Sequence, residues 1–144
     1  MRNSADAAPS SEARLSAVIR SVVARLLRPA AIVAVAAILA LSLVPGGLRP
    51  HTAASGNLEH ATAYALAAVV AGLAWRASLG WRGPLAFSIL AGLLEVAQIF
   101  VPGRSAGIDN WAASTCGAVI GIAVAATLRA RLARPAPVAA GSGK

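Results

Sequence analysis

Apolar residues in this chain come in long runs rather than in the narrow stripe of a soluble helix, and polar residues gather where the runs end. Four runs stand out. They are Ala30 to Val44, Leu58 to Trp75, one that opens at Pro84 and closes before the loop VPGRSAG, and Ile108 to Leu128. A bilayer crossing takes about 20 predominantly apolar residues, so each run is read as a membrane-spanning helix, the first lengthened at its start by Leu26 and Leu27.

Ahead of the first run, Leu15, Val18, Ile19, Val22, Val23, Leu26 and Leu27 recur at helical spacing, while Arg14, Arg20, Arg25 and Arg28 keep to other positions. That pattern predicts a basic amphipathic helix suited to the surface of an anionic leaflet. The expected organisation is a cytoplasmic tail and interfacial helix over 1–28, a four-helix transmembrane domain over 29–129, and a flexible cytoplasmic tail over 130–144. A cleaved signal peptide is the competing reading of the N-terminal part. The long leader and the lack of a clear Ala-x-Ala site argue against it.

Composition agrees with the pattern. The chain of 144 residues is 58% hydrophobic and 12% charged, against about 45–50% and about 25% for a soluble domain. Mean hydropathy is +0.71. Thirteen Lys and Arg face five Asp and Glu, a balance that in a soluble protein would suggest nucleic acid. Here the arginines sit at the ends of apolar runs, as the positive-inside rule requires, and no nucleic-acid partner is expected. With four spans, all basic residues except Arg49 and Arg104 fall on the side of both termini. The reading is therefore a multi-pass protein of the cytoplasmic (inner) membrane with its N- and C-termini inside.

Three acids fall at or within the spans: Glu59, Glu95 and Asp109. A charged side chain at the centre of a membrane helix costs on the order of 2.5–3.5 kcal/mol and usually faces a bundle interior or a water-filled cavity. Helical spacing puts Ser88, Ala91, Gly92, Glu95 and Gln98 on one small-residue face. His60, Tyr64, Ala67, Ala68 and Ala71 share another, and Asn110, Ser114, Gly117 and Gly121 a third, where Gly117-x-x-x-Gly121 is a close-packing motif. The topology then brings polar residues from three helices to one outer level. Both outer loops begin Val-Pro-Gly, at Val44 and at Val101, as two parallel hairpins would.

The expected binding pocket is outward-facing and made by His60, Tyr64, Glu95, Gln98 and Arg104. Glu95 with Gln98 could transfer a proton or hold a head group, or form a structural pair with Arg104 or His60. His60 could act as a base or as a hydrogen-bonded packing residue. Arg104 could hold a phosphate or carboxylate, or anchor a tight turn. Glu59, Asp109 and Asn110 sit near helix starts, where capping is the first reading. His51 is read as an ordinary loop residue and Cys116 as a packing residue. No cofactor is expected, and two histidines with one cysteine make no metal site.

Leu58-Glu59-His60 with Tyr64, then Glu95-x-x-Gln98, then Pro102-Gly103-Arg104, then a polar start to the last span ahead of Gly117 and Gly121, together resemble the VanZ-like family. This is a group of small multi-span membrane proteins related to a teicoplanin-resistance protein, and the resemblance covers roughly residues 30–128. It implies a cell-envelope membrane protein with a bearing on glycopeptide antibiotic resistance. Two departures stand out. The Asp-Lys that family members often carry before the histidine is replaced by Gly56 and Asn57, and the family's Asp and Asn in the last span fall on Asn110 and Ser114, with Asp109 one position early.

The functional expectation is a protein that binds a polar or anionic group, either a lipid head group or a lipid-linked envelope precursor. Two alternatives are a membrane-embedded enzyme using Glu95 or His60 as acid or base, and a structural subunit packed against another membrane protein.

Overall fold

A computed structural model describes residues 11–48, 55–75 and 80–133, the side chains at 13, 16, 20 and 24 excepted. Most of the expected tails, His51, Arg49 and Arg76 lie outside the described residues. Among those residues the fold is all-helical: α1 (Ser11–Leu43), a short 3-10 turn (Gly46–Leu48), α2 (Gly56–Ala74), α3 (Arg82–Gln98) and α4 (Ile108–Leu132).

The amphipathic segment expected within 1–28 and the first apolar run, expected to be lengthened at its start by Leu26 and Leu27, form one continuous helix of 33 residues with Pro29 inside it. A proline frees one carbonyl, here that of Arg25, and costs about 3 kcal/mol in a helix interior. A full break would free several backbone groups, which is the larger penalty wherever water is scarce. At about 1.5 Å per residue α1 is roughly 50 Å long, well beyond the other helices. Its N-terminal half carries Leu15, Val18, Ile19, Val22 and Val23 exposed, and among its described side chains only Ala31, Ile38 and Ser42 are buried.

Helices α2 and α4 form the most extensive contact of the fold and run parallel. Small residues make this possible. A side-chain carbon at Gly117 would land on the Ala61 carbonyl oxygen, and one at Gly121 would lie 2.8 Å from the Ala68 methyl. Further along the same seam, Gly72 faces Ala125 at 2.6 Å by the same construction. Such close backbone approach is the geometry expected of the Gly117-x-x-x-Gly121 face. Arg129 fastens the far end, its guanidinium donating to the Gly72 carbonyl at 2.7 Å.

The distribution of residue types is inverted relative to a soluble protein. Of the thirteen buried hydrophobic residues among those described, eight are alanine, so small residues make most of the interior. Leu66, Ile89, Leu93, Val96, Ile120 and Val124 point outward instead. Apolar exteriors on this scale mark contact with lipid or with another protein. Two helical stretches, Ala17–Leu43 and Ile108–Leu132, are long and apolar enough to cross a membrane. Helices α2 and α3 have 19 and 17 residues and carry the polar groups Asn57, Glu59, His60, Glu95 and Gln98, which lower their hydropathy.

The two Val-Pro-Gly loops meet. The Gly46 amide donates to the Pro102 carbonyl at 3.0 Å, and a side-chain carbon at Gly46 would fall on the Gly103 carbonyl. Gly103 has φ +73°, a left-handed conformation that glycine adopts readily. Helix α1 thus pairs with α2, and α3 with α4, as two hairpins joined at their loops and along the α2–α4 seam.

Candidate functional site

The end of the bundle that carries both Val-Pro-Gly loops also holds the starts of α2 and α4. Each start is fixed differently. Ser55 caps α2, its hydroxyl accepting from the Leu58 amide at 3.4 Å. Helix α4 begins at Gly107, whose residue type offers no side-chain cap, and here a group from α3 reaches across. The Glu95 carboxylate accepts a hydrogen bond from the Gly107 amide at 2.8 Å. A carboxylate at a helix N-terminus satisfies an orphan donor and complements the helix dipole.

Glu95 is buried, with 9% of its surface exposed. Gln98, one turn on along α3, is 2% exposed and donates to the Ser42 carbonyl near the end of α1 at 3.2 Å. Arg104 binds the same end of α1, with Nε donating to the Val44 carbonyl at 2.9 Å and an Nη donating to the Leu41 carbonyl. A cation on these last carbonyls complements the negative end of α1. The residues expected to form the site are therefore also those that tie the α3–α4 hairpin to the α1–α2 hairpin.

Two cavities open at this end. The smaller, about 190 Å³, is lined by Gly46, Gly56, His60, Gln98, Gly103, Arg104, Ser105 and Asn110. The larger, about 450 Å³, runs between α1 and α2 over alanines and branched aliphatics, and Glu59, His60, Tyr64 and Arg104 also line it. His60 and Arg104 belong to both.

The five expected pocket residues thus divide. His60, Gln98 and Arg104 line the smaller cavity; Tyr64 lines the larger one and packs edge-on to Phe87 with ring centroids 6.1 Å apart. Glu95 lines neither cavity and sits behind the wall, holding the start of α4. Among the secondary polar residues, Glu59 faces the larger cavity, while Asn110 lines the smaller one and donates to the Ser105 carbonyl at 3.4 Å. Asp109 is turned toward α2 and accepts from the Asn57 side chain at 3.2 Å. That contact joins the start of α2 to the start of α4.

Ser105, Gly46, Gly56 and the α1 carbonyls are parts of the site that sequence reasoning missed. The twin Val-Pro-Gly signal pointed to the loops that carry some of them, but backbone acceptors leave no residue-type signature. Lower in the bundle, the Trp111 indole donates to the Ser88 carbonyl at 3.1 Å and Thr115 to the Ser88 hydroxyl at 3.0 Å, fastening α4 to α3. Among the described residues there is no group of three or more His, Cys, Asp or Glu that could hold a metal ion.

Fold and site together define an all-helical protein that has, among the described residues, two helices long and apolar enough to cross a membrane and a polar cavity at one end of the bundle. No family model matches the chain, and comparisons with curated proteins and with solved structures likewise gave no match.

Proposed function

We propose that this is a VanZ-like, four-span protein of the cytoplasmic membrane that binds an anionic head group in the smaller cavity. All four helices cross the bilayer in this reading, and both termini lie in the cytoplasm. Support for four spans comes from the inverted packing: α2 and α3 present Leu66, Ile89, Leu93 and Val96 outward, which suits lipid contact, while their polar residues gather at one end. At 17 residues α3 lies at the short limit of about 17–25 for a spanning helix. Basic residues favour the opposite end as the cytoplasmic one.

The observation that carries the binding role is the lining of the smaller cavity. Arg104, His60, Gln98 and Asn110 converge there with the Ser105 loop and three glycines. No carboxylate lines it, and Gln98, Asn110 and Arg104 are each oriented by donating to a backbone carbonyl. Arg104 donates to the carbonyls of Val44 and Leu41 at the end of α1, which orients the guanidinium at the cavity. A phosphate or carboxylate on a lipid or a lipid-linked precursor fits that chemistry. Binding of such a group at the outer leaflet would alter envelope composition and, through it, glycopeptide susceptibility.

An enzymatic role for Glu95 is not favoured, because its carboxylate is engaged with the Gly107 amide and lines neither cavity. The reading is tested in cells lacking the protein, complemented with wild type or Ser105→Asp at matched membrane levels, by mass spectrometry of lipids and cell-wall precursors and by glycopeptide susceptibility. Ser105 is exposed and lines the cavity, so the new carboxylate repels an anion without disturbing the core. The expected result is a changed profile that wild type restores and the variant does not. Identical profiles in all strains would overturn the reading.

A further inference from the structure

We infer that the two cavities are one site for a phospholipid, with the phosphate in the smaller cavity and an acyl chain in the larger. This rests on the reading of the smaller cavity as an anion site and names the ligand class.

The larger cavity is not simply a gap beside a helix. Its walls are Ala34, Ala37 and Ile38 from α1 and Ala63, Ala67 and Val70 from α2. The alanines on both helices keep the walls low and leave room between them. At about 450 Å³ it falls in the range of about 300–1,000 Å³ typical of small-molecule sites. From His60 to Val70 it follows α2 for roughly 15 Å, at about 1.5 Å per residue. An almost wholly apolar channel of this kind suits a hydrocarbon chain.

Polar groups stand at one end only. His60 and Arg104 line both cavities, so they mark the junction, and beyond it lie Ser105, Asn110 and the glycine backbones. A ligand filling both must be an amphiphile with a compact anionic head. In the proposed topology that head lies at the outer surface and the chain points toward the bilayer centre, the orientation of a lipid in the outer leaflet. Arginine holds phosphate oxygens in a planar fork. Glu59 lines the larger cavity at the same end, together with His60 and Arg104.

The test is native mass spectrometry of the full chain released from detergent, with added phosphatidylglycerol, phosphatidylethanolamine, diacylglycerol of the same chains, or glycerol 3-phosphate. Both phospholipids are expected to bind, and diacylglycerol and glycerol 3-phosphate each at least about tenfold more weakly. Ala63→Trp and Ala37→Trp fill the larger cavity from exposed positions and should each weaken phospholipid binding about tenfold or more. Ser105→Asp should do the same from the other end.

Equal binding of diacylglycerol would remove the head-group role, and with an ineffective Ser105→Asp it would sink the anion-site reading as well. Phospholipid binding lost in Ser105→Asp but untouched in both tryptophan variants would overturn the chain placement alone. Binding of glycerol 3-phosphate as tight as phospholipid would do the same.

Discussion

The carboxylate of Glu95 and the amide of Gly107, twelve residues apart in the chain, lie 2.8 Å from each other and join the last turn of α3 to the start of α4. A buried acid in an apolar helix thus satisfies the backbone amide of the N-cap residue of α4. Glutamine keeps an acceptor oxygen in that position and alanine does not. Glu95→Ala should therefore lose about 1–3 kcal/mol, the cost of a buried unsatisfied donor, and Glu95→Gln clearly less. Thermal unfolding in detergent, followed by circular dichroism, compares the two. Equal losses would show that the bond to the Gly107 amide is not what the carboxylate supplies.

The α2–α4 seam makes a sharper demand on size. Gly117→Ala and Gly121→Ala each drive a methyl into α2 backbone, and overpacking of this kind costs about 1–3 kcal/mol. Gly47→Ala, with open space around it, is the control and should stay within about 0.5 kcal/mol of wild type. The same unfolding measurement decides it, and a Gly117→Ala protein as stable as Gly47→Ala would refute the parallel seam.

Gly46 and Gly103 test the joining of the two loops. Each substitution to alanine should destabilise, Gly46→Ala by collision with the Gly103 carbonyl and Gly103→Ala by its positive φ. Residues in direct contact couple by about 0.5–3 kcal/mol, so the double variant should depart from the sum of the single ones by that much. Strict additivity in a double-mutant cycle would place the loops apart.

Arg104→Lys keeps the charge but has no planar fork to reach the Val44 and Leu41 carbonyls together. Loss of one bond from a charged donor is worth about 1.5–3 kcal/mol, and the end of α1 should loosen. Hydrogen exchange at 40–44 is expected to quicken in the variant while exchange in the α2–α4 seam is unchanged. Unaltered exchange at 40–44 would mean that Arg104 does not anchor α1.

Cysteine labelling checks the topology. In a Cys116→Ala background, Ser105→Cys should react with an impermeant maleimide on intact cells and Ala133→Cys only after permeabilisation. Both residues are exposed and lie at opposite ends of α4, so the reverse pattern would invert the orientation, and labelling of both from outside would reject a spanning α4.

Much of the helical layout was legible because it depends on local pattern. The small-residue faces of α2, α3 and α4 were read from spacing, and Tyr64, Ala67, Ala68, Ala71, Ala91, Glu95, Gln98, Ser114, Gly117 and Gly121 are buried as that spacing required. The interfacial helix and the first span were read as two parts, yet α1 runs through Pro29 unbroken, because a proline removes one hydrogen bond and does not by itself end a helix. Glu95 was marked as a residue needing a reason, and spacing put it on the inner face. That it would meet a backbone amide rather than His60 or Arg104 could not be read, since an amide has no signature in the residue type.

The sequence by itself determined an apolar, all-helical chain with its polar groups at helix ends, because hydropathy and helical period are properties of neighbours along the chain. Only the tertiary structure decided which polar groups line a cavity and which hold the bundle together. That division depends on the contact of two loops 57 positions apart, Gly46 against Gly103, and on the depth to which alanine and glycine let α2 and α4 approach. Those distances are fixed by packing between segments remote in sequence, where local pattern has nothing to say.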